Sequence, residues 1–290
     1  MTTLRTARPE MPILFRAARL IALAIVIGWS LANAIQRIGA WSLSDMDAYW
    51  NAAMRLREGA PLYPPVIDPA AVDIYKYAPW FAWLWVPLTF LPKVVVGVAW
   101  SAVLVAASAV AIAPILRRAS LTAVAVATLL GTILLWSAAS GNVQPLLVAV
   151  LVHGVERRSG PLWIGLAASL KVFPVFYALV YLGRRMWFRF FATLLVAVVL
   201  WTPALFYDLT NYQGSVADSP NPLLATSTAL YVGVVIVAVI ATIGLARTRY
   251  AWLAAAAGFV AVLPRVSLID LSQLAVGFAA QTRKGDPPRG

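Results

Sequence analysis

The sequence predicts an all-α, polytopic integral membrane protein, and three observations carry that prediction. Apolar residues make up 62% of the 290-residue chain and charged residues only 12%, against roughly a quarter charged in a soluble domain. The apolar residues come in long runs of Ala, Val, Leu and Gly, and the mean hydropathy is +0.82. In lipid, such runs satisfy their backbone groups as helices rather than as an open sheet. Third, the 23 Lys and Arg residues exceed the 11 Asp and Glu residues, and the basic ones stand in pairs between apolar runs. That is the positive-inside pattern of membrane helices, so the net charge of +12 does not mark a nucleic-acid surface. The chain has no cysteine and one histidine, His153. Disulfides, thiolate metal sites, a cysteine nucleophile and a histidine cluster are thereby excluded.

Residues 1–19 form a short basic tail, read as cytoplasmic, and the first span is expected at about 20–35. Ala32-Asn33-Ala34 matches a signal-peptidase site, but a retained span agrees better with an acidic loop, 38–76, lying outside. From Tyr77 the apolar runs are 77–91, 94–116, 120–139, 143–155, 161–182, 187–207, 223–246, 250–263 and 266–281. With the first span these predict a bundle of about 9–10 transmembrane helices, some too short to cross ~30 Å unaided. A single membrane domain, 20–281, is thus expected, followed by a disordered tail, 282–290.

Basic clusters lie at Arg117-Arg118, Arg157-Arg158, Arg184-Arg185-Arg189, Arg247-Arg249 and Arg283-Lys284. One simple crossing per run cannot bring them all to one side. That requires 161–182 to be a broken hairpin turning near Lys171-Pro174, and 77–116 to cross only once in net; otherwise two Arg pairs are external.

Two loops interrupt the apolar pattern, 38–76 and 208–222, and both are expected outside. The first holds five of the 11 acids, Asp45, Asp47, Glu58, Asp68 and Asp73; the second adds Asp208 and Asp218. Ser44 followed three residues later by Asp47 has capping-box spacing, and Gly59 before Pro61 makes a stop. Between them Tyr49, Ala52, Ala53 and Leu56 fall on one face and Asp47, Asn51, Arg55 and Glu58 on the other. This predicts an interfacial helix with Tyr49 and Trp50 at headgroup depth.

Asp45 and Asp47 are the candidate general bases, because the helix dipole favours their ionised form; capping alone is the competing reading. Lys171, alone in an apolar run, is a candidate phosphate ligand, against snorkelling towards an interface. Asn142 and Gln144 lie at the junction of two runs, where a turn also explains Gly141 and Asn142. Arg265 and Asp270 suggest an intramembrane ion pair. His153 reads as structural, and the many Trp and Tyr residues as interfacial belts.

Asp45-x-x-x-Tyr49, Ala52-Ala53, Gly59, Leu62-Tyr63, Tyr77-x-Pro79 and Pro87 resemble the first-loop signature of the polyprenol-phosphate-mannose-dependent mannosyltransferases, glycosyltransferase family 87. Gly141-Asn142 stands where the family has Gly-Gln, and Lys171-x-x-Pro174 with Arg184-Arg185 resembles its Lys-Pro segment. Leu263-Pro264-Arg265, with Asp270 after it, is similar to a late segment of some members. The resemblance runs over 40–190 and more weakly to the end, and this chain is shorter than most members. It implies a GT-C membrane fold, multi-pass in a bacterial plasma membrane. It also implies inverting transfer of a hexose, mannose first, from a polyprenyl-phosphate sugar to a glycan or glycolipid acceptor. Asp45 matches the base, with Asp47 as an extra acid. Lys171 and Arg265 would hold the donor phosphate; Tyr49, Tyr63, Tyr77, Asn142 and Gln144 would bind substrate. No cofactor is indicated, and a divalent cation stays compatible with the pattern. The competing functions are a polyprenyl-lipid or solute carrier, for which no repeat symmetry is visible, and a non-catalytic membrane scaffold.

Overall fold

The computed structural model describes residues 43–65, 74–117, 120–212, 221–265 and 267–283, and nine helical positions between Ala17 and Gln36. The N-terminal tail, most of the first span, Asp68, Asp73, Asp218 and the C-terminal tail lie outside the described residues. Among the described residues the chain is helical throughout, without a strand.

Helix α1, Ser44–Glu58, is the interfacial helix. Its apolar face is as expected, with Tyr49, Ala52 and Ala53 wholly buried. Gly59 ends it in the left-handed conformation (φ 69°), while the Ala60 N–H reaches back to the Arg55 carbonyl at 2.8 Å. The start differs from expectation. No side chain caps α1; the Asp45 N–H instead donates to the Ser140 carbonyl at 3.0 Å. A neighbouring turn supplies the acceptor, so the Ser44–Asp47 capping box does not form. Tyr49 does not face outward either. Its ring packs edge-on to Tyr77 and Phe81 and close to Trp85, with centroids 5.0–5.3 Å away. Each such pair contributes about 0.5–1.5 kcal/mol beyond burial.

Helix α2, Pro79–Trp85, continues as a 3-10 turn, Val86–Phe90. Arg57 bonds the Thr89 carbonyl at 3.1 Å, so this segment lies along α1. Helix α3, Lys93–Leu116, comes next; its 24 residues span about 36 Å. Helix α4, Leu121–Ala139, is capped by Ser120, which accepts from the Ala123 N–H at 3.1 Å. Helices α5, Gln144–Gly154, and α6, Gly160–Leu170, are short. Then come a 3-10 turn, Phe173–Tyr177, and α7, Ala178–Gly183. Helix α8 is Trp187–Trp201, prolonged by a 3-10 turn to Phe206. Helix α9, Pro222–Thr226, leads into α10, Thr228–Leu245. Helix α11, Ala251–Val262, a 3-10 turn, Leu268–Gln273, and α12, Leu274–Arg283, complete the chain. Among the described residues four helices are long and apolar enough to cross a membrane: α3, α4, Trp187–Phe206 and α10.

Two ends can be told apart by their contacts. Trp100 donates to the Gly141 carbonyl at 2.8 Å, and His153 Nε2 lies 3.0 Å from the Val110 carbonyl. Helix α3 therefore runs from the Gly141 turn towards the end of α5, and Arg117 lies two turns beyond Val110. The 160–183 segment folds back on itself. Its tip is the extended Lys171, and Tyr181 returns to donate to the Val155 carbonyl at 2.6 Å, taking the room that Gly160 leaves. At the same end Arg184 Nε donates to the Ala246 carbonyl (2.7 Å) and Trp252 to Glu156 (3.0 Å). Arg117, Arg157, Arg158, Arg184, Arg185, Arg189, Arg247 and Arg249 thus share one end. One of the two irregular features that a one-sided charge pattern requires is therefore present, the hairpin at 160–183.

The interior is not purely aliphatic. Tyr49, Tyr177, Tyr181 and Trp252 are among its largest buried side chains, so these aromatics belong to the core and not to a belt.

Candidate functional site

The site lies at the other end and grows out of the turn between α4 and α5. Helix α4 ends when Gly141 adopts φ 78° and the Asn142 N–H bonds back to the Ser137 carbonyl at 3.1 Å. A Cβ on Gly141 would stand 2.7 Å from Met46 Cβ. Glycine is therefore required twice here, for its backbone conformation and to let the start of α1 rest on the turn.

That contact brings Asp45 over Asn142. Asn142 Oδ1 accepts the Gln144 N–H at 2.9 Å, which turns Nδ2 towards Asp45, where it donates to Oδ1 at 3.0 Å. Lys171, from the hairpin tip, reaches the same turn: its Nζ donates to Gln144 Oε1 at 2.9 Å and lies 3.5 Å from Asn142 Oδ1. Gln144, fully buried, gives its Nε2 to Ser272 Oγ at 3.1 Å, and Ser272 passes its own proton to the Ile269 carbonyl at 2.6 Å. Four segments distant in sequence thus meet in one hydrogen-bonded chain: Asp45, Asn142 with Gln144, Lys171, and Ser272.

The electrostatics stem from this arrangement. Burial pushes the Asp45 carboxyl above the ordinary carboxylate value, opposed by Ser140, Lys171, Asn142 and Lys76. The helix dipole alone predicts the opposite direction; withdrawal from water outweighs it here. Lys171 faces Asp45, Asp270 and Arg265. The site therefore pairs a cation suited to an anionic group with a carboxylate able to take a proton, about one amide apart.

The other sequence candidates have different placements. Asp47 points away from the turn and holds Lys93 at 2.7 Å, fastening α1 to α3. Tyr49 donates to Tyr77 Oη (3.1 Å) and accepts the Val143 N–H (3.2 Å). Tyr63 donates to the Tyr77 carbonyl at 2.8 Å. Both are buried, beside Tyr77. The Tyr77 hydroxyl is nearer, facing Asp45 and Asp270. Arg265 and Asp270 form no ion pair: Asp270 Oδ2 accepts the Ser267 N–H at 3.0 Å in a capping box of the last 3-10 turn, while Arg265 faces Lys171. Capping satisfies that carboxylate more locally than the arginine would. His153 Nε2 lies 3.0 Å from the Val110 carbonyl, joining α5 to α3. Among the described residues no three His, Asp or Glu side chains gather to hold a metal ion.

The family model of glycosyltransferase family 87 matches residues 75–280. The chain belongs to glycosyltransferase family 87. No curated protein and no solved structure matches it. The family match takes in Tyr77, Asn142, Gln144, Lys171 and Arg265, whereas Asp45, Asp47, Tyr49 and Tyr63 precede it. As a family 87 member with four spanning-length helices, the protein is a membrane glycosyltransferase.

Two participants escaped sequence reading. Ser272 is an ordinary polar residue in an apolar run, 128 positions from Gln144, and nothing local marks it. Lys76, which faces Asp45, stands directly before Tyr77 at the end of the acidic loop; its position there was the available signal.

Proposed function

We propose that this glycosyltransferase transfers a hexose, mannose first among them, from a polyprenyl-phosphate sugar to a glycan or glycolipid acceptor, with inversion, within a GT-C-type fold. The reading rests on one observation: Lys171 and Asp45 meet on either side of Asn142. The donor phosphate would sit on the Lys171 ammonium with Arg265 beside it. The acceptor hydroxyl attacks the anomeric carbon as the bond from that carbon to the phosphate oxygen breaks. Its proton passes to Asp45, and polyprenyl phosphate leaves as an anion, needing no general acid. A buried carboxylate with a raised pKa is a better base than an exposed one, and alignment of the two oxygens contributes at least as much as proton transfer.

The orientation belongs to the same proposal. With all the described basic pairs at the opposite end, the positive-inside rule puts the site on the external face of a bacterial plasma membrane. Single cysteines at Ser44 and Ser215 should then label with an impermeant reagent in intact cells; protection until lysis would reverse the orientation. The activity is tested with purified protein in lipid, a panel of radiolabelled polyprenyl-phosphate sugars and a membrane extract as acceptor source. Transfer from the mannosyl donor above all others is expected, and no transfer from any of them would remove the proposal.

A further inference from the structure

We propose that Asn142 is a spacer that keeps the Lys171 ammonium and the Asp45 carboxylate from collapsing into a direct ion pair. The first is thereby left open to a phosphate and the second to a hydroxyl. The inference rests on the donor reading above for its use, but not for its geometry.

Lysine carries its charge on a flexible four-carbon stem with three freely rotating donors. Placed within one amide of a carboxylate and half out of water, it is drawn to close on it. What prevents this is a neutral group with both of its ends occupied. Asn142 gives Nδ2 to Asp45 and turns Oδ1 towards Lys171, and its orientation is not free, because Oδ1 also accepts the Gln144 N–H. Gln144 in turn draws the ammonium sideways at 2.9 Å. Its own amide is held by Ser272, whose hydroxyl proton is committed to Ile269 and can only accept from Nε2. Asn142 and Gln144, which the sequence suggests as substrate contacts, are in this account positioning residues, and Ser272 is the anchor of the device.

The charged and titratable groups around the pair are few. Asp45 faces Lys171 from the hairpin, Lys76 from the segment before α2, and the phenols of Tyr49 and Tyr77. Lys171 faces Asp45, Asp270 and Arg265. Asp270 faces Lys171 as well, with one oxygen engaged by the Ser267 N–H; Asp45 is the carboxylate that shares Asn142 with the lysine, and so the one the amide holds off.

The test uses the full chain in lipid nanodiscs. Asn142→Ser keeps a hydroxyl that can accept the Gln144 N–H, but it lacks the amide that separates the charges. The carboxyl titration of Asp45 is followed by infrared spectroscopy, its band assigned by difference against Asp45→Asn. A direct ion pair should lower the midpoint by about one pH unit, whereas mere loss of the Nδ2 hydrogen bond would raise it. Affinity for a polyprenyl-phosphate sugar should fall about tenfold in Asn142→Ser. It should recover to within about threefold of the Asp45→Asn value when Asp45→Asn is added, because the lysine then has no carboxylate across Asn142 to close on. A midpoint that is unmoved or raised overturns the proposal, as does a double variant without recovery. Should Asn142→Ser fail to assemble, Ser272→Ala loosens Gln144 alone, and its midpoint must move downwards in the same sense. If Lys171→Met binds the donor normally while Asn142→Ser still lowers the midpoint, the donor reading fails and the spacer stands.

Discussion

The two ends of this bundle handle charge in opposite ways. At the basic end the described charges that find partners are closed off. The Arg184 guanidinium lies 5.3 Å above the Trp252 ring and bonds a carbonyl. Arg189 covers Tyr181 at 5.7 Å, and the one acid there among the described residues, Glu156, is held by Trp252. At the site itself the two central charges are bridged by neutral amides, while Asp47 beside them is closed on Lys93. Asp45 and Lys171 each meet a side-chain amide, and neither closes on the other. An aromatic face or a carbonyl satisfies a cation and finishes it; an amide bridge holds a charge in place while leaving bonding capacity for another molecule. The difference teaches where to look for chemistry in a membrane protein whose two ends are both polar.

The comparison breaks most visibly at its acids. Asp45→Asn preserves shape and still accepts from Asn142, but it has no charge, so turnover should fall at least ~100-fold with donor binding nearly intact. Full activity in that variant would move the base elsewhere, with Asp208 or Asp47 next in line. Because burial raises the Asp45 pKa, folding favours its protonated form. Stability from this group is complete below the unfolded-state pKa and lost as pH rises through the folded one. Asp45→Asn should therefore melt slightly higher than the parent near neutral pH, and a lower melting temperature would contradict the burial account. For the same reason the acid limb of the pH–rate profile should lie above the ordinary carboxylate pKa of ~3.9.

Lys171→Met should weaken donor binding about tenfold or more, the scale of one lost charge-assisted hydrogen bond, and Lys171→Arg should keep part of the affinity. Equal affinity in Lys171→Met would make the lysine a structural residue like Arg184. A third contrast uses two glycines of left-handed conformation. Gly141→Ala meets Met46 as well as backbone strain and should destabilise by about 2–3 kcal/mol, against about 1 kcal/mol for Gly59→Ala, where nothing lies within 4 Å. Thermal unfolding in detergent would compare them, and equal losses would deny the close seat of α1 on the turn. The smallest effect is expected at Glu156→Gln, which still accepts from Trp252: turnover within about twofold of the parent, the surface-change baseline.

Much of this was legible in the chain. Every apolar run from Tyr77 onwards is helical as read, since a 20-residue apolar run in lipid has little choice but to satisfy its own backbone. Lys171 was legible because an ionisable residue in such a run needs a reason. Asp45 was chosen over Asp47 only by resemblance; contacts now separate them, one on Asn142 and one on Lys93. The burial of Tyr49 and Tyr63 was not legible, because a tyrosine at an interface and one that roofs a core look alike in sequence. Their burial depends on Phe81, Trp85 and Tyr212 arriving from other segments.

The sequence by itself determined the class of the protein, its helical spans, its family and the polar residues that do not belong in lipid. These are set by composition and local pattern, which one-dimensional solvation physics can read. The tertiary structure alone decided that all the described basic pairs share an end, that 160–183 doubles back at Lys171, and that Ser272 completes the chain reaching Asp45. Those outcomes depend on contacts between residues as much as 128 positions apart, made by short directional hydrogen bonds. Such bonds leave no periodic trace along the chain.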